Sequence, residues 1–240
     1  DSITVVFGGD VGSSKVPQEL TKNLDSYSPD AIIIGGDAAY DQAIDACWYS
    51  FDLFLKMYED LNQRLNVTIP MVVGVGNHDV GYGSNSNEMI DVNHLPTFFY
   101  LFPAHLDYDA NGTAIVPDVK NRRTYFHHQI GNAVFIGLDS YYVLPYEGIQ
   151  QDFIRNISKQ YKSQGRFAYY HNPTYPGCSK KISESQLYWS SLFEEYNFTG
   201  IFENHHHMFK KTLPLVQGVP VTSGGITYFG DGNCRVISTP

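Results

Sequence analysis

The feature that most constrains the fold is a short apolar run that recurs three times and each time ends in glycine followed by a polar residue. Residues 3–9 precede Asp10, residues 31–36 precede Asp37, and residues 71–76 precede Asn77. Between the runs lie helical patterns at residues 17–27 and 45–65, the second with apolar residues at three- and four-residue steps. Strands that alternate with helices predict a parallel sheet covered by helices.

The later part of the chain predicts a second set of strands. Residues 124–130 and 133–139 form a predicted hairpin around Gly131-Asn132. Residues 167–170 and 200–203 are further strands, residues 146–163 and 184–196 are helices, and the last 30 residues predict strands with Gly-rich turns. Residues 79–95 lack periodicity and predict a loop. No repeat or linker interrupts the sequence, so we expect one α/β domain over residues 1–240 with mixed sheets.

Composition excludes several classes of protein. The chain has 240 residues, is 42% hydrophobic and carries a net charge of −9. The apolar content is too high for a disordered chain. An acidic chain repels nucleic-acid phosphates, so we expect no nucleic-acid partner. No apolar run approaches about 18 residues, so we expect no membrane span.

Two further features favour a secreted, extracellular or lumenal location. Sequons for N-linked glycans begin at Asn66, Asn111, Asn156 and Asn197. The chain is also poor in lysine. Separately, it opens almost directly on a strand, as a processed or excised chain would. The three cysteines are Cys47, Cys178 and Cys234; their odd number leaves at least one thiol unpaired or intermolecular, and their pairing stays open.

Asp, Asn or His follows five predicted strands at their C-terminal ends, where open α/β sheets bind ligands. The residues are Asp10, Asp37, Asn77, His171 and the run His205-His206-His207. Each one alone is more typical of a turn, a cap or a buried histidine. Their occurrence in order after successive strands favours a transition-metal site, because carboxylate, amide and imidazole are its usual ligands.

The same motifs resemble those of the calcineurin-like metallophosphoesterases, and more narrowly the purple acid phosphatases. They are Gly9-Asp10-Val11-Gly12, Gly36-Asp37-Ala38-Ala39-Tyr40, Gly76-Asn77-His78-Asp79, a strand that ends at His171, and His205-His206-His207. Glycine at position 12 together with Tyr40 is typical of the purple acid phosphatase branch. The resemblance implies a four-layer α/β/β/α sandwich with two mixed β-sheets.

The resemblance also implies a ligand set and an activity. Asp10, Tyr40 and His207 would hold Fe(III), and Asn77, His171 and His205 would hold a second divalent metal (Fe, Zn or Mn). Asp37 would bridge both metals. The activity implied is hydrolysis of small phosphate monoesters, as in an acid phosphatase, by metal-bound hydroxide attack. We expect His78 to act as the general acid and Asp79 to orient its imidazole.

Other positions depart from the family pattern or leave alternatives open. Asn204 stands where the family has glycine, and Lys210-Lys211 replaces Glu-Arg. His206, Lys180 and Lys181 are candidate substrate contacts. One alternative is a non-catalytic extracellular glycoprotein that retains the fold. Another is a phosphodiesterase or nucleotide pyrophosphatase of the same superfamily. The sequence does not predict an oligomeric state.

Overall fold

A computed structural model of the chain describes residues 2–41, 48–80, 97–103, 107–177 and 185–230. In this part, the strands are β1 (Val5–Gly8), β2 (Ala31–Ile34), β3 (Met71–Val73), β4 (Asp107–Tyr108), β5 (Ala114–Ile115), β6 (Phe126–Ile130), β7 (Ala133–Gly137), β8 (Gly165–Tyr170), β9 (Gly200–Glu203), β10 (Lys210–Lys211), β11 (Leu215–Val216), β12 (Val219–Pro220) and β13 (Thr227–Gly230). The helices are α1 (Lys15–Asn23), α2 (Tyr49–Leu65), α3 (Asn77–Val80), α4 (Thr97–Leu101), α5 (Ile149–Gln160), α6 (Ser185–Tyr188) and α7 (Ser190–Glu195), with short 3-10 turns at Leu24–Ser26 and Val119–Asn121.

The strands build two main sheets. The first has the order β1-β2-β3, and both of its strand pairs are parallel. The second has the order β10-β13-β9-β8-β7-β6, with parallel pairs in its centre and antiparallel pairs at both edges. Two small hairpins, β4-β5 and β11-β12, lie outside these sheets.

Three apolar clusters hold the sheets and helices in four layers. The first packs α2 residues such as Phe51 and Leu61 against Ile32 and Ile34 of the first sheet. The second packs Ile154 of α5, Trp189 and Phe193 against the outer face of the second sheet. The third lies between the sheets. The order of layers is therefore α/β/β/α, and burial of apolar surface is the main force that holds them together.

Aromatic rings fill much of the space between the two sheets. Phe7 of β1 stacks on Phe202 of β9, with ring centroids 3.6 Å apart. Phe135 stacks on Phe167 at 5.1 Å. Phe7 also lies 5.7 Å from the Phe135 ring of β7 and 6.4 Å from the Tyr169 ring of β8, so β1 of the first sheet packs against β7, β8 and β9 of the second. The carboxyl ends of the parallel strands consequently meet at one end of the sandwich.

The predicted fold class is confirmed, and the first sheet is purely parallel in the part of the chain described. The long helix α2 buries Phe51, Phe54, Met57, Tyr58 and Leu61. Trp48, which we expected on that apolar stripe, lies before the helix and is 55% exposed. The predicted part of this helix at residues 45–47 lies outside the described residues.

Three local predictions differ from the structure. The predicted helix 184–196 is divided into α6 and α7 at Trp189, whose buried ring donates from Nε1 to the carbonyl oxygen of Tyr146 at 2.8 Å. Residues 77–80 form the one-turn helix α3, whose last two residues belong to the predicted loop 79–95. Helix α4 was not predicted. The rest of that loop, the three cysteines and residues 231–240 lie outside the described residues. No described helix is both long and apolar enough to cross a membrane.

Candidate metal centre

The polar residues at the strand ends converge at the shared end of the two sheets. Asp10 follows β1, Asp37 and Tyr40 follow β2, Asn77 begins α3 after β3, His171 follows β8, and His205 and His207 follow β9. Five of these seven residues have positive φ, namely Asp10, Asp37, Tyr40, His205 and His207. Positive φ is strained for residues other than glycine and clusters at functional sites. The loops are thus bent in ways that aim these side chains at one place.

Asp10, Tyr40 and His207 form one cluster. The Tyr40 hydroxyl lies 3.2 Å from Oδ1 of Asp10 and 3.0 Å from Nε2 of His207. Nε2 of His207 is also 3.0 Å from Oδ1 of Asp10. The three potential ligand atoms therefore form a small triangle. A phenolate, a carboxylate and an imidazole in this arrangement could hold a hard metal ion such as Fe(III).

Asn77, His171 and His205 form a second cluster beside the first. Oδ1 of Asn77 lies 3.1 Å from Nε2 of His171 and 3.0 Å from Nδ1 of His205. The two imidazole nitrogens are 3.2 Å apart. Two imidazoles and a neutral amide oxygen are suited to a divalent transition metal.

Asp37 lies beside the second cluster, and His171 of that cluster approaches the first. Its Oδ2 is 3.2 Å from Nε2 of His171, and the same nitrogen is 4.0 Å from Oδ1 of Asp10 in the first cluster. Oδ1 of Asp37 accepts a hydrogen bond from the backbone N–H of His78 at 2.8 Å. The structure therefore brings together all seven residues predicted as metal ligands.

The ligand atoms of Asp37, His171 and His205 are arranged as a metal ion requires. Oδ2 of Asp37 is buried and faces Nε2 of His171 at 3.2 Å. In the neutral ring that donates from Nδ1 to Gly35, Nε2 carries no proton, so the buried oxygen has no hydrogen-bond donor there. Asp37, His171 and His205 each offer a ligand atom, all within 4.8 Å of one another. A cation between them would satisfy the unpaired oxygen and the facing lone pairs together.

His171 is held by a hydrogen bond at its other ring nitrogen. Nδ1 lies 3.2 Å from the carbonyl oxygen of Gly35, and since a carbonyl only accepts, Nδ1 donates. This leaves the lone pair of Nε2 for a metal in the neutral ring, a common arrangement for ligating histidines. Burial opposes protonation of His171, but the Asp37 and Asp10 carboxylates outweigh it and raise its pKa to about 9. Metal binding at this position therefore displaces a proton.

His78 stands at the edge of the clusters. Its imidazole packs on the Tyr40 ring, with centroids 4.3 Å apart, and its Nε2 lies 3.8 Å from Oδ2 of Asp37. The ring is mostly buried, with 12% of the side chain exposed. Stacking on Tyr40 and the backbone bond to Asp37 therefore fix the position of this predicted general acid.

Asp79 has a different position from the one we expected. Its Oδ2 accepts hydrogen bonds from the backbone N–H groups of Asp37 and Gly76, and its Oδ1 accepts from that of Ala38. All three distances are 2.8–2.9 Å, and Asp79 is fully buried. Its described hydrogen bonds do not reach the His78 imidazole. The prediction that Asp79 orients that ring is therefore corrected: its carboxylate ties the loop after β2 to the loop after β3.

Two residues near the site were not predicted as functional. The ring of Tyr142 lies 5.9 Å from that of His171 and is buried. Its loop is held by Asp139, whose carboxylate accepts hydrogen bonds from three successive backbone N–H groups, those of residues 142–144, and from the Thr124 hydroxyl. The signal for this loop was present in the sequence, because Asp139 also ends a predicted strand.

The other predicted positions are partly described. The His206 ring lies 5.4 Å from that of His205 and is half-buried. Lys180 and Lys181 lie outside the described residues. Lys210 forms an ion pair with the buried Glu203 and donates to the carbonyl oxygen of Tyr175. The asparagines of all four sequons are exposed: Asn66, Asn111, Asn156 and Asn197.

Comparison with protein families gives one match. The family model described as calcineurin-like phosphoesterase matches residues 3–209. No curated protein sequence is a significant match to this chain.

Several solved structures have a similar fold. A purple acid phosphatase from yellow lupin (Lupinus luteus) seeds has a TM-score of 0.62 and 12% identity, over 98% of this chain and 44% of the lupin chain. A dimetal phosphatase from Danio rerio has a TM-score of 0.64 and 9% identity, over 97% of this chain and 88% of that one. GAP50, the anchor in the inner membrane complex of Plasmodium, has a TM-score of 0.58 and 15% identity, over 97% of this chain and 72% of the GAP50 chain. At these identities the likeness shows the fold alone.

Proposed function

The chain belongs to the calcineurin-like phosphoesterase family, and on that premise we propose that it is a metal-dependent phosphomonoesterase of the purple acid phosphatase type. The single observation that carries the proposal is the pair of adjacent ligand clusters, with the Asp37 carboxylate beside His171 of the second. The first cluster offers a phenol, a carboxylate and an imidazole, and the second offers an amide oxygen and two imidazoles. A fold retained only as a building block does not need this complete set.

The composition of each cluster supports particular metals. Asp10 and Tyr40 supply hard anionic oxygens, which favour Fe(III) in the first position. Asn77, His171 and His205 supply neutral ligands, which favour Fe, Zn or Mn as a divalent ion in the second. When bound, such a pair orients a phosphate and lowers the pKa of the attacking water.

The protein side chains have separate roles in this proposal. We expect His78 to donate a proton to the leaving oxygen, and its contacts with Tyr40 and Asp37 at the edge of the clusters support this role. Asp79 holds the two loops that carry Asp37 and Asn77. A small phosphate ester is the substrate, with His206, Lys180 and Lys181 as its proposed further contacts.

Metal content and acid phosphatase activity test the proposal together. We expect the purified protein to contain two metal ions, to hydrolyse p-nitrophenyl phosphate at acid pH, and to show a visible band from tyrosinate bound to Fe(III). His78→Ala should lower kcat by roughly 10²–10⁴ and leave the metal content unchanged, because the general acid is lost and no ligand is. Absence of both metal and turnover would refute the proposal, and an unchanged kcat in His78→Ala would refute the role of His78.

A secreted, extracellular or lumenal location with N-linked glycans is also proposed. All four sequon asparagines are exposed, and none is among the candidate ligands. A shift in mass after treatment with a glycosidase would support this location, and an unmodified protein from a eukaryotic secretory host would contradict it.

A second candidate function is non-catalytic anchoring. It is favoured by the similar fold of GAP50, which is described as an anchor in the inner membrane complex of Plasmodium. This candidate predicts a stable fold after metal is removed and no turnover with metal restored. The assay described above therefore separates the two functions.

A further inference from the structure

Asn204 links the two sheets directly beneath the candidate metal centre. It lies between β9 and His205 and is buried. Its Nδ2 donates to the carbonyl oxygen of Gly35 in the first sheet's loop, at 3.2 Å, and to that of Tyr170 in the second sheet, at 3.1 Å. Its backbone N–H donates to the carbonyl oxygen of His171 at 2.9 Å.

The carbonyl of Gly35 is shared between Asn204 and a candidate ligand. It accepts from Nδ2 of Asn204 and also from Nδ1 of His171. Asn204 therefore contacts His171 in two ways. Its backbone N–H binds the His171 carbonyl, and its side chain binds the Gly35 carbonyl that accepts from the His171 ring. The orientation of the His171 Nε2 lone pair thus depends on Asn204.

The space for the Asn204 side chain exists because two neighbours are glycines. A Cβ at Gly35 would lie 1.9 Å from Nδ2 of Asn204, and one at Gly9 would lie 2.3 Å from its Oδ1. Glycines at positions 9 and 35 leave a volume that the carboxamide fills. The resemblance described above places glycine at position 204, so the bridge belongs to this chain's own sequence.

We propose that Asn204 is a positioning residue for the second metal, acting through the shared Gly35 carbonyl on His171. The inference rests on the proposed function, because it concerns the metal that Asn77, His171 and His205 would hold. Asn204 makes no described hydrogen bond to the side chains of Asp10, Tyr40 or His207. Its loss should therefore weaken the second site and leave the first one intact.

The test compares Asn204→Ala with wild type and with Asn62→Ala. Asn62 is a matched control, because its amide also ties a loop, accepting from the backbone N–H of Ile69 at 3.1 Å, far from the strand-end loops. Metal content and zinc titration of the metal-depleted second site should show binding 10–100-fold weaker in Asn204→Ala, the range for lost outer contacts to a ligand. The visible band of the first metal should be unchanged, and Asn62→Ala should match wild type.

Two outcomes would overturn the proposal. One is equal affinity of wild type and Asn204→Ala for the second metal, and the other is an equal loss at both sites, which indicates general loosening. If Asn204→Ala does not fold, Asn204→Leu has a similar side-chain volume and removes both N–H donors without adding a charge, and the same selective loss is expected.

A metal-free measurement separates this proposal from the proposed function. In the NMR spectrum of the metal-free protein, the Nδ1–H of His171 should be protected from exchange in wild type and Asn62→Ala and exposed to it in Asn204→Ala. Equal protection in all three would refute the role of Asn204. If wild type binds no metal, the proposed function fails, and this measurement still decides whether Asn204 positions His171.

Discussion

At the scale of single residues, Tyr40 has two contacts with different consequences. Its hydroxyl lies within hydrogen-bond distance of Asp10 and His207, and its ring packs against the His78 imidazole. The hydroxyl and the ring can be separated experimentally, because phenylalanine keeps the ring and lacks the oxygen.

Tyr40→Phe should abolish the visible band and leave the fold and the His78 stacking intact. The reason is that, in the proposed function, the band comes from charge transfer between the Tyr40 phenolate and Fe(III), and phenylalanine lacks that oxygen. Absorption spectra with parallel metal analysis check the result, with Tyr161→Phe as control, since the Tyr161 hydroxyl meets His127. A band that persists in Tyr40→Phe would remove Tyr40 from the metal site.

Asp79→Asn should destabilise the protein through its backbone contacts. The amide nitrogen cannot accept, so at least one buried N–H of Asp37, Ala38 or Gly76 loses its partner, which costs about 1–3 kcal/mol. Urea unfolding of the metal-free protein measures this loss.

Asp109→Asn is the matched control for that change. Asp109 also accepts from two backbone N–H groups, those of Asn111 and Thr113, but in an exposed turn where water can replace it. Its substitution should have a much smaller effect. Unchanged stability in Asp79→Asn would show that the fold does not depend on the hydrogen bonds of this carboxylate to the two loops.

At the scale of elements, the centre depends on the close approach of the loops after β2 and β3. A Cβ at Gly76 would lie 2.2 Å from Oδ1 of Asp37 and 2.4 Å from its backbone nitrogen. Gly36 has a φ of +104°, and a Cβ there would lie 2.8 Å from the backbone nitrogen of Gly76 and from Nδ1 of His171. Side chains at these positions would force the two loops apart.

Gly76→Ala should therefore lower the free energy of unfolding by about 3 kcal/mol, at the upper end for overpacking, and reduce metal content. Denaturation and metal analysis measure both effects. Gly165→Ala is the control in β8, because a Cβ there meets its nearest neighbour at an ordinary 3.6 Å. Equal metal content in Gly76→Ala and wild type would show that the loops need not approach so closely.

At the scale of the whole molecule, stability should vary with pH through Asp139. Burial raises the pKa of Asp139 to about 6, against opposing hydrogen bonds from Thr124 and the backbone of residues 142–144. Between about pH 4 and pH 6 the folded protein holds a proton that the unfolded chain releases. The free energy of unfolding therefore falls as pH rises through this window, by up to about 3 kcal/mol.

Comparison with Asp139→Asn isolates this effect, because the asparagine side chain has no proton to lose in this pH range. From pH 4 to pH 7, the free energy of unfolding of the metal-free wild type should fall relative to that of the variant. Urea unfolding at several pH values measures it. A difference independent of pH would show that Asp139 keeps its ordinary pKa in the folded protein.

The fold class followed from the sequence because apolar periodicity is local. The strand at residues 200–203 was predicted at its observed bounds, and the hairpin at Gly131-Asn132 forms as expected. The break at Trp189 was missed because the residue has an apolar side chain that continues the helical pattern, and its hydrogen bond to Tyr146, 43 residues away, is not visible in the local sequence. Helix α3 was missed because one turn is too short for a periodic signal.

The sequence by itself determined which residues stand near the strand ends, because the candidate ligands all follow an apolar run within a few residues. Only the tertiary structure decided which atoms those residues meet. His78 lies on Tyr40, Asp79 binds the backbone of residues 37, 38 and 76, and Asn204 joins Gly35 to Tyr170. These contacts join loops that are far apart in the chain, and they arise because the inter-sheet core brings both sets of parallel strands to one end of the molecule.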